Sequence, residues 1–187
     1  MLGLSLATVA IMTRHLGTEG YGYYRTIIAV MTLSMIIADA GLGSIFVREF
    51  SSRADDQGRL LSSAVALRIA LAFPILLIGA AVCDTILDRE ASTLILLLAV
   101  IGYLSYSIHT LLFTVFQQRL RQRGAIVAEI LGGTLLLATV VLLTFMAADF
   151  IWFVVALGAS YVVTLAMTIL SLKELIRFEW QVNGHEM

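Results

Sequence analysis

The chain has 187 residues, of which 60% are hydrophobic and only 13% are charged, and its mean hydropathy is +0.97. A water-soluble domain is typically about half apolar and about a quarter charged, so this composition excludes a water-soluble globular domain. The formal net charge of −1 provides no basic surface for nucleic acid, and the single cysteine, Cys83, excludes an intramolecular disulfide.

Long apolar runs follow one another along the chain. A helix needs about 20 apolar residues to cross the hydrocarbon core, because each residue rises about 1.5 Å. The runs are apolar on every face and do not alternate as barrel strands do. We therefore predict an all-α polytopic membrane bundle, a single transmembrane domain over residues 1–187. Its spans are predicted near 1–13, 23–46, 63–83, 92–116, 125–147 and 150–172.

The first run is too short to cross a membrane, since Arg14 follows it directly. No basic residue precedes it and no small-x-small cleavage site follows it, which favours a truncated transmembrane helix over a cleaved signal peptide. We expect the chain to begin inside this helix. Short polar connections are predicted at 14–22, 48–61, 84–91, 117–124 and 148–149.

Basic residues are distributed unequally between the two predicted sides of the membrane. The richer side has eight arginines and lysines, which are Arg48, Arg53, Arg59, Arg119, Arg121, Arg123, Lys173 and Arg177. The other side has Arg14, Arg25 and Arg89. The positive-inside rule then predicts a plasma-membrane protein whose C-terminus is cytoplasmic. Aromatic residues are predicted at the outer interface, and these are Tyr21, Tyr23, Tyr24 and Trp152.

Four ionisable residues fall inside predicted spans at a similar depth, and they are Asp39, Arg68, His109 and Glu129. A charge at bilayer depth costs about 2.5–3.5 kcal/mol, so it persists mainly where it faces a partner or water. One interpretation is a polar cavity that opens to the cytoplasm. The other is structural ion pairing, for example of Asp39 with Arg68, with His109 as a packing residue. Arg68 and Glu129 could also snorkel to headgroups.

Glycines and the only proline suggest where helices bend or pack closely. Gly41 and Gly43 directly follow Asp39, where they allow a bend or a close backbone approach. Pro74 lies in the middle of a predicted span and should kink it, because proline removes a backbone hydrogen bond. Gly132 and Gly158 are predicted to lie on small packing faces.

No motif predicts an enzyme. The three histidines are far apart in sequence, no phosphate-binding loop occurs, and no nucleophile elbow is present. We therefore expect no catalytic residue, no metal and no cofactor. The remaining catalytic alternative is a membrane enzyme that acts on lipid phosphates through Asp39 and nearby arginines.

Two motifs resemble those of a known family. The sequence RHLGTEGYGYY at 14–24 matches the pattern R-x-L-G-x-x-x-Y-G-x-Y, and DAGLG at 39–43 is followed by VRE at 47–49. Both are similar to the motifs of the polysaccharide-biosynthesis flippases, which translocate O-antigen and capsule repeat units. This family belongs to the multidrug/oligosaccharidyl-lipid/polysaccharide exporter superfamily. The local match is good over about residues 1–80.

The resemblance implies a mechanism and a cargo. Family members have twelve to fourteen helices in two lobes, and a central cavity faces each side of the membrane in turn. The cargo is an undecaprenyl-pyrophosphate-linked oligosaccharide. Arginines suit its phosphates, because the planar guanidinium binds phosphate oxygens in pairs. Substrate-binding residues are therefore predicted as Arg25, Asp39, Arg48 and Arg68, with His109 and Glu129 as further polar cavity residues. For Arg48, an ordinary positive-inside anchor is a slightly better explanation than cargo binding.

The chain departs from the family because it contains about one lobe, resembling the N-terminal one. It is then a fragment, or a half that pairs with a second lobe or chain. Three hypotheses follow. The chain is part of a lipid-linked oligosaccharide flippase, part of a drug or ion antiporter that needs Asp39, or a membrane assembly subunit that does not transport. The bilayer is the common partner in all three.

Overall fold

The computed structural model describes residues 2–39, 57–87, 93–118 and 123–183, together with positions 41, 43, 45, 46, 48 and 49. These ranges form helices throughout, apart from short turns. The five helices are α1 (Leu2–Asp39), α2 (Gln57–Ile86), α3 (Thr93–Gln118), α4 (Arg123–Phe145) and α5 (Phe150–Asn183). Each contains a segment that is long and apolar enough to cross a membrane. The predicted all-α membrane bundle is confirmed.

The first two predicted spans are two helices that meet at a kink and are described together as α1. The kink is at Gly17, inside the connection predicted at 14–22, where φ is 66° and ψ is −170°. Glycine adopts this positive φ without the steric penalty that a β-carbon would bring. Gly17 therefore divides α1 into a first arm, residues 2–16, and a second arm, residues 18–39.

The helices form a closed ring. The second arm of α1 packs against α2, α2 against α3, α3 against α5, and α5 against α4. The first arm of α1 completes the ring, since Leu4 lies beside Gly133 of α4. A ring of helices leaves an interior, and the side chains that line it determine what the bundle can hold.

Small residues bring neighbouring helices close together. A β-carbon on Gly102 of α3 would lie 2.5 Å from the Cα atom of Gly158 of α5, so these two backbones are in contact. A β-carbon on Gly132 of α4 would lie 2.0 Å from the Thr164 hydroxyl of α5. Close backbone approach at small residues is the usual way that helices associate in lipid. The predicted packing role of Gly132 and Gly158 is confirmed.

The outer surface is apolar, and the hydrophobic side chains that it exposes are spread over all five helices. Pro74 belongs to this exposed surface of α2, and the helix is assigned without interruption from Gln57 to Ile86. Lipid can cover such a surface, because hydrocarbon tails and apolar side chains are equally nonpolar. The bend angle expected at Pro74 stays a prediction.

Candidate functional site

Helix α3 presents polar side chains to both of its sides. Successive residues of an α-helix are rotated by about 100°, so Ser107 and Thr110 share one face and His109 lies on the opposite one. The first face meets α2 and the end of α1, and the second meets α4 and α5. Each face lines its own cavity.

The first cavity holds the Asp39–Arg68 ion pair. One terminal nitrogen of Arg68 donates a hydrogen bond to Asp39 Oδ1. Its Nε donates to Ser107 Oγ at 2.8 Å, and its other terminal nitrogen donates to Thr110 Oγ1 at 3.5 Å. Arg68 is 5% exposed, whereas 40% of the Asp39 side chain is exposed. All three nitrogens of the guanidinium are therefore occupied within the protein.

Two glycines shape the chain next to this ion pair. Gly41 has a φ of 81°, the left-handed conformation that commonly ends a helix, and it follows the last residue of α1 by two positions. A β-carbon on Gly43 would lie 3.8 Å from Asp39 Oδ1, so the glycine borders the carboxylate. The cavity has a volume of about 310 Å³, and both Asp39 and Gly43 line it.

The second cavity is larger, about 350 Å³, and it lies inside the ring between α1, α3, α4 and α5. Four tyrosines and three ionisable residues line it, and these are Tyr21, Tyr24, Tyr106, Tyr161, Arg25, His109 and Glu129. Of the two cavities, it is the one with more polar lining residues.

His109 is buried at the wall of this larger cavity. The residue is 1% exposed, and its Nδ1 lies 2.9 Å from Thr168 Oγ1 of α5. Its Nε2 lies 3.6 Å from Glu129 Oε1 of α4, and 37% of the Glu129 side chain is exposed. The imidazole thus connects a fully buried hydroxyl with a carboxylate that water can reach.

Stacked tyrosines form another part of the same wall. The rings of Tyr106 and Tyr161 stack with their centroids 4.6 Å apart, and Tyr103 meets Tyr161 edge-on at 5.5 Å. The ring of Tyr106 also lies 6.2 Å from His109. Such aromatic contacts fix the rings in position. They give the cavity a rigid surface that combines apolar faces with phenolic hydroxyls.

Arg25 projects from the second arm of α1 at the edge of this cavity. It is exposed, and within the described ranges it makes no ion pair with a carboxylate. Its guanidinium is therefore available to an anion that enters the cavity. Arg68 differs in this respect, because its nitrogens are already engaged.

The structure divides the four intramembrane ionisable residues between two cavities rather than gathering them in one. Asp39 and Arg68 line the smaller, and His109 and Glu129 line the larger. Arg48 is exposed beyond the end of α1. Several predicted loop residues lie outside the described side chains, and these are Arg53, Arg59, Arg89, Arg119, Arg121, Lys173 and Arg177.

Two of the tyrosines predicted at the outer interface face the interior of the bundle, and their level in the membrane stays a prediction. Tyr24 is only 5% exposed and belongs to the hydrophobic core, and Tyr21 lines the larger cavity. The second arm of α1 turns this face inward against α3. The sequence contained a usable signal, because Tyr21 and Tyr24 are three residues apart, as are Tyr103 and Tyr106. This spacing places both members of each pair on one helix face.

The fold and the cavity define a multi-pass membrane protein with a polar, aromatic-lined space inside its helix bundle. The chain matches the family described as polysaccharide biosynthesis protein over residues 1–186, and it belongs to that family. The resemblance seen in its two motifs is confirmed. No curated protein and no solved structure gives a significant match.

Proposed function

We propose that this chain forms one lobe of a translocase that moves a lipid-linked oligosaccharide across the plasma membrane for cell-surface polysaccharide synthesis. The observation that supports this most strongly is Arg25, an arginine that forms no ion pair with any carboxylate of the described residues, at a tyrosine-lined cavity in a member of the polysaccharide biosynthesis family. The proposed cargo is the undecaprenyl-pyrophosphate-linked oligosaccharide of the flippases that the motifs resemble.

Arg25 is the proposed contact for the pyrophosphate. Arginine binds phosphate oxygens through two parallel N–H donors, and such charge-assisted bonds are about twice as strong as neutral ones. Arg68 is a weaker choice, because its donors are engaged by Asp39, Ser107 and Thr110. Arg48 serves better as an anchor on the cytoplasmic surface, since it is exposed beyond α1.

The tyrosines are the proposed surface for the saccharide. Sugars combine hydroxyl groups with apolar C–H faces, and tyrosine offers a phenolic hydroxyl together with a ring face. Tyr106 and Tyr161 are held in a stack, so they present such a surface without further ordering. The polyprenyl tail would remain in the bilayer, next to the apolar exterior of the bundle.

Alternating access needs a second wall that moves relative to the first. We propose that a second lobe or chain provides it, that the C-terminus is cytoplasmic, and that the cycle involves no covalent chemistry. The alternative of an ion antiporter that depends on Asp39 has less support, because the carboxylate is held by Arg68. An Asp39→Asn variant with full transport would argue against that alternative.

A deletion strain tests the proposal directly. Without the gene, lipid-linked repeat units should accumulate in the inner leaflet, where a membrane-impermeant periplasmic glycosidase cannot cleave them. The wild-type gene should restore cleavage. Arg25→Ala should lower it about tenfold or more, since a hydrogen bond to a charged group is worth about 1.5–3 kcal/mol.

Matched variants make the result specific. Arg25→Lys should fall between the wild type and Arg25→Ala, because lysine keeps the charge but loses the planar fork. Arg14→Ala is the control, since Arg14 is exposed on the same helix but does not line the cavity. Unchanged surface polysaccharide and unchanged inner-leaflet intermediates in the deletion strain would refute the proposal.

A further inference from the structure

We propose that His109, Glu129 and Thr168 form a proton-binding site inside the bundle, which takes up and releases one proton through the larger cavity. The binding of the proton is independent of the cargo. Its use to drive transport rests on the function proposed above.

The hydrogen bonds of Thr168 determine which imidazole nitrogen carries the proton. The Thr168 hydroxyl donates to the carbonyl oxygen of Thr164 at 2.8 Å, so its single hydrogen is committed. Its oxygen can then only accept from His109 Nδ1, which lies 2.9 Å away. The neutral ring is therefore protonated at Nδ1, and the lone pair of Nε2 points toward Glu129.

The Nε2 side of the ring is the side that exchanges protons. Glu129 Oε1 lies 3.6 Å from Nε2, and 37% of the Glu129 side chain is exposed. Thr168 is fully buried on the other side. Glu129 lines the cavity and Thr168 is not among its lining residues, so we infer that a proton from cavity water reaches the imidazole on the Nε2 side.

Two protonation states of the site follow. In the loaded state, His109 is an imidazolium that donates through Nδ1–H to Thr168 and through Nε2–H to the Glu129 carboxylate, so the charges cancel. In the unloaded state, the Nε2 proton has left for cavity water, the ring is neutral, and Glu129 keeps one negative charge. One N–H bond is broken and one water is protonated, so the step balances.

The site lies deep in the bundle, so its change of net charge affects the hydration of the cavity. His109 is nine residues before the end of α3, so it lies about 14 Å from that end. Glu129 is six residues after the start of α4, so it lies about 9 Å from that start. A net charge at such depth favours hydration, whereas the neutral pair favours closure against lipid or protein. Proton uptake thus biases the cavity toward a closed arrangement.

Other titratable groups surround His109 and Glu129. Each helix of the cavity contributes titratable side chains, and these are Arg25, Tyr21 and Tyr24 from α1, Tyr106 from α3, Glu129 from α4 and Tyr161 from α5. Arg25 and Glu129 line the same cavity. Arg68 of α2 lies on the other side of α3, paired with Asp39.

Nitrogen NMR of the histidine-labelled full chain in nanodiscs tests the binding site. A His109→Asn variant assigns the resonances. Wild-type His109 should change from the Nδ1–H tautomer to the doubly protonated ring as the pH is lowered. Glu129→Gln should abolish this transition, and Asp84→Asn, a distant carboxylate on α2, should leave it unchanged.

Two NMR results would overturn the site. One is a neutral His109 protonated at Nε2, which would mean that the Thr168 hydroxyl donates to the ring instead. The other is an identical titration in Glu129→Gln and the wild type, which would show that the carboxylate does not share the proton. An unchanged His15 resonance in each variant would show that the chain is still folded, because His15 Nε2 lies 3.1 Å from the Ala148 carbonyl oxygen.

Vesicle transport of a radiolabelled polyprenyl-pyrophosphate disaccharide tests the coupling, with the chain co-expressed with any partner that co-purifies. If uptake or release of one proton limits transport, the transport rate should change by up to about tenfold per pH unit. The Glu129→Gln variant should lose this pH dependence. Transport that ignores the proton gradient refutes the coupling alone. No transport at any pH refutes the proposed function, while the NMR titration still decides the proton site.

Discussion

The two ionisable pairs of the bundle contain the same kinds of groups at similar depth, yet their surroundings differ. Arg68 is 5% exposed and binds three partners, so the cation of the Asp39–Arg68 pair has no unused nitrogen. His109 is equally buried, but its partner Glu129 reaches a cavity of about 350 Å³. The saturated pair is suited to holding helices together, and the open pair is suited to exchanging a proton or a ligand.

Of the substitutions in the two ion pairs, a change of Asp39 is expected to lower the stability most. An Asp39→Asn variant leaves the buried Arg68 cation without a counter-charge, and breaking a buried pair in this way costs about 3–5 kcal/mol. We expect the lower end, because 40% of the Asp39 side chain is exposed. Reversible unfolding in mixed micelles measures the loss.

A double variant, Asp39→Leu with Arg68→Met, is the control for this prediction. It removes both charges and should recover at least half of the stability, because no unpaired charge stays buried. If Asp39→Asn unfolds as readily as the wild type, the Asp39–Arg68 pair does not hold the helices together and the contrast between the two sites fails.

The second largest effect is expected at Gly102. A Gly102→Val side chain would collide with the Gly158 backbone, since even a β-carbon would lie 2.5 Å from its Cα atom. Overpacking of this kind costs about 1–3 kcal/mol. The displacement should disturb the His109–Thr168 contact between α3 and α5 more than the Arg68 contacts, and histidine NMR would show it.

Gly22→Ala is the matched control for Gly102→Val, because a β-carbon there meets nothing within 4 Å. It should be neutral or slightly stabilising, since alanine favours helix more than glycine does. Equal destabilisation by both changes would mean that the contact between α3 and α5 is looser than described.

A smaller effect is expected from Thr168→Val. The change removes the oxygen that accepts the His109 Nδ1 hydrogen bond, and an unsatisfied buried donor costs about 1–3 kcal/mol. We expect about 1 kcal/mol, because the cavity lets His109 reorient toward water. Unfolding and histidine NMR together measure it, and an unchanged Nδ1 resonance would contradict the assigned hydrogen bond.

The smallest effect on stability is expected from Glu129→Gln. Partly exposed ion pairs contribute about 0–1 kcal/mol, and glutamine keeps a hydrogen-bonding group at the same position. The variant should therefore fold like the wild type while it loses the pH response of His109. A loss as large as that of Asp39→Asn would show that both pairs serve stability.

Composition and the length of the apolar runs are sufficient to predict the class of fold. Apolar runs of span length predict helices in lipid, because each helix closes its own backbone hydrogen bonds. The connection predicted at 14–22 is present but is shorter than expected. The turn signals of Gly17, Gly20 and Gly22 predict a loop, and in the structure only Gly17 leaves the helical conformation.

The sequence predicted which residues belong to the candidate site, but it did not predict which of them share a cavity. Intramembrane charge identified Asp39, Arg68, His109 and Glu129, since each is expensive in hydrocarbon. Which of them share a cavity depends on the rotation of α3, and helical phase relative to neighbouring helices is set by packing at residues such as Gly102 and Gly158. The periodicity of an all-apolar helix contains little information about that phase.

The contact between Gly102 and Gly158 also constrains how the bundle can change shape. Because the two backbones touch there, α3 and α5 cannot slide past each other at that level without a collision. They should therefore move as one rigid unit, which includes the His109–Thr168 contact. A widening of the interior is then expected at the opposite wall, where Gly17 joins the two arms of α1.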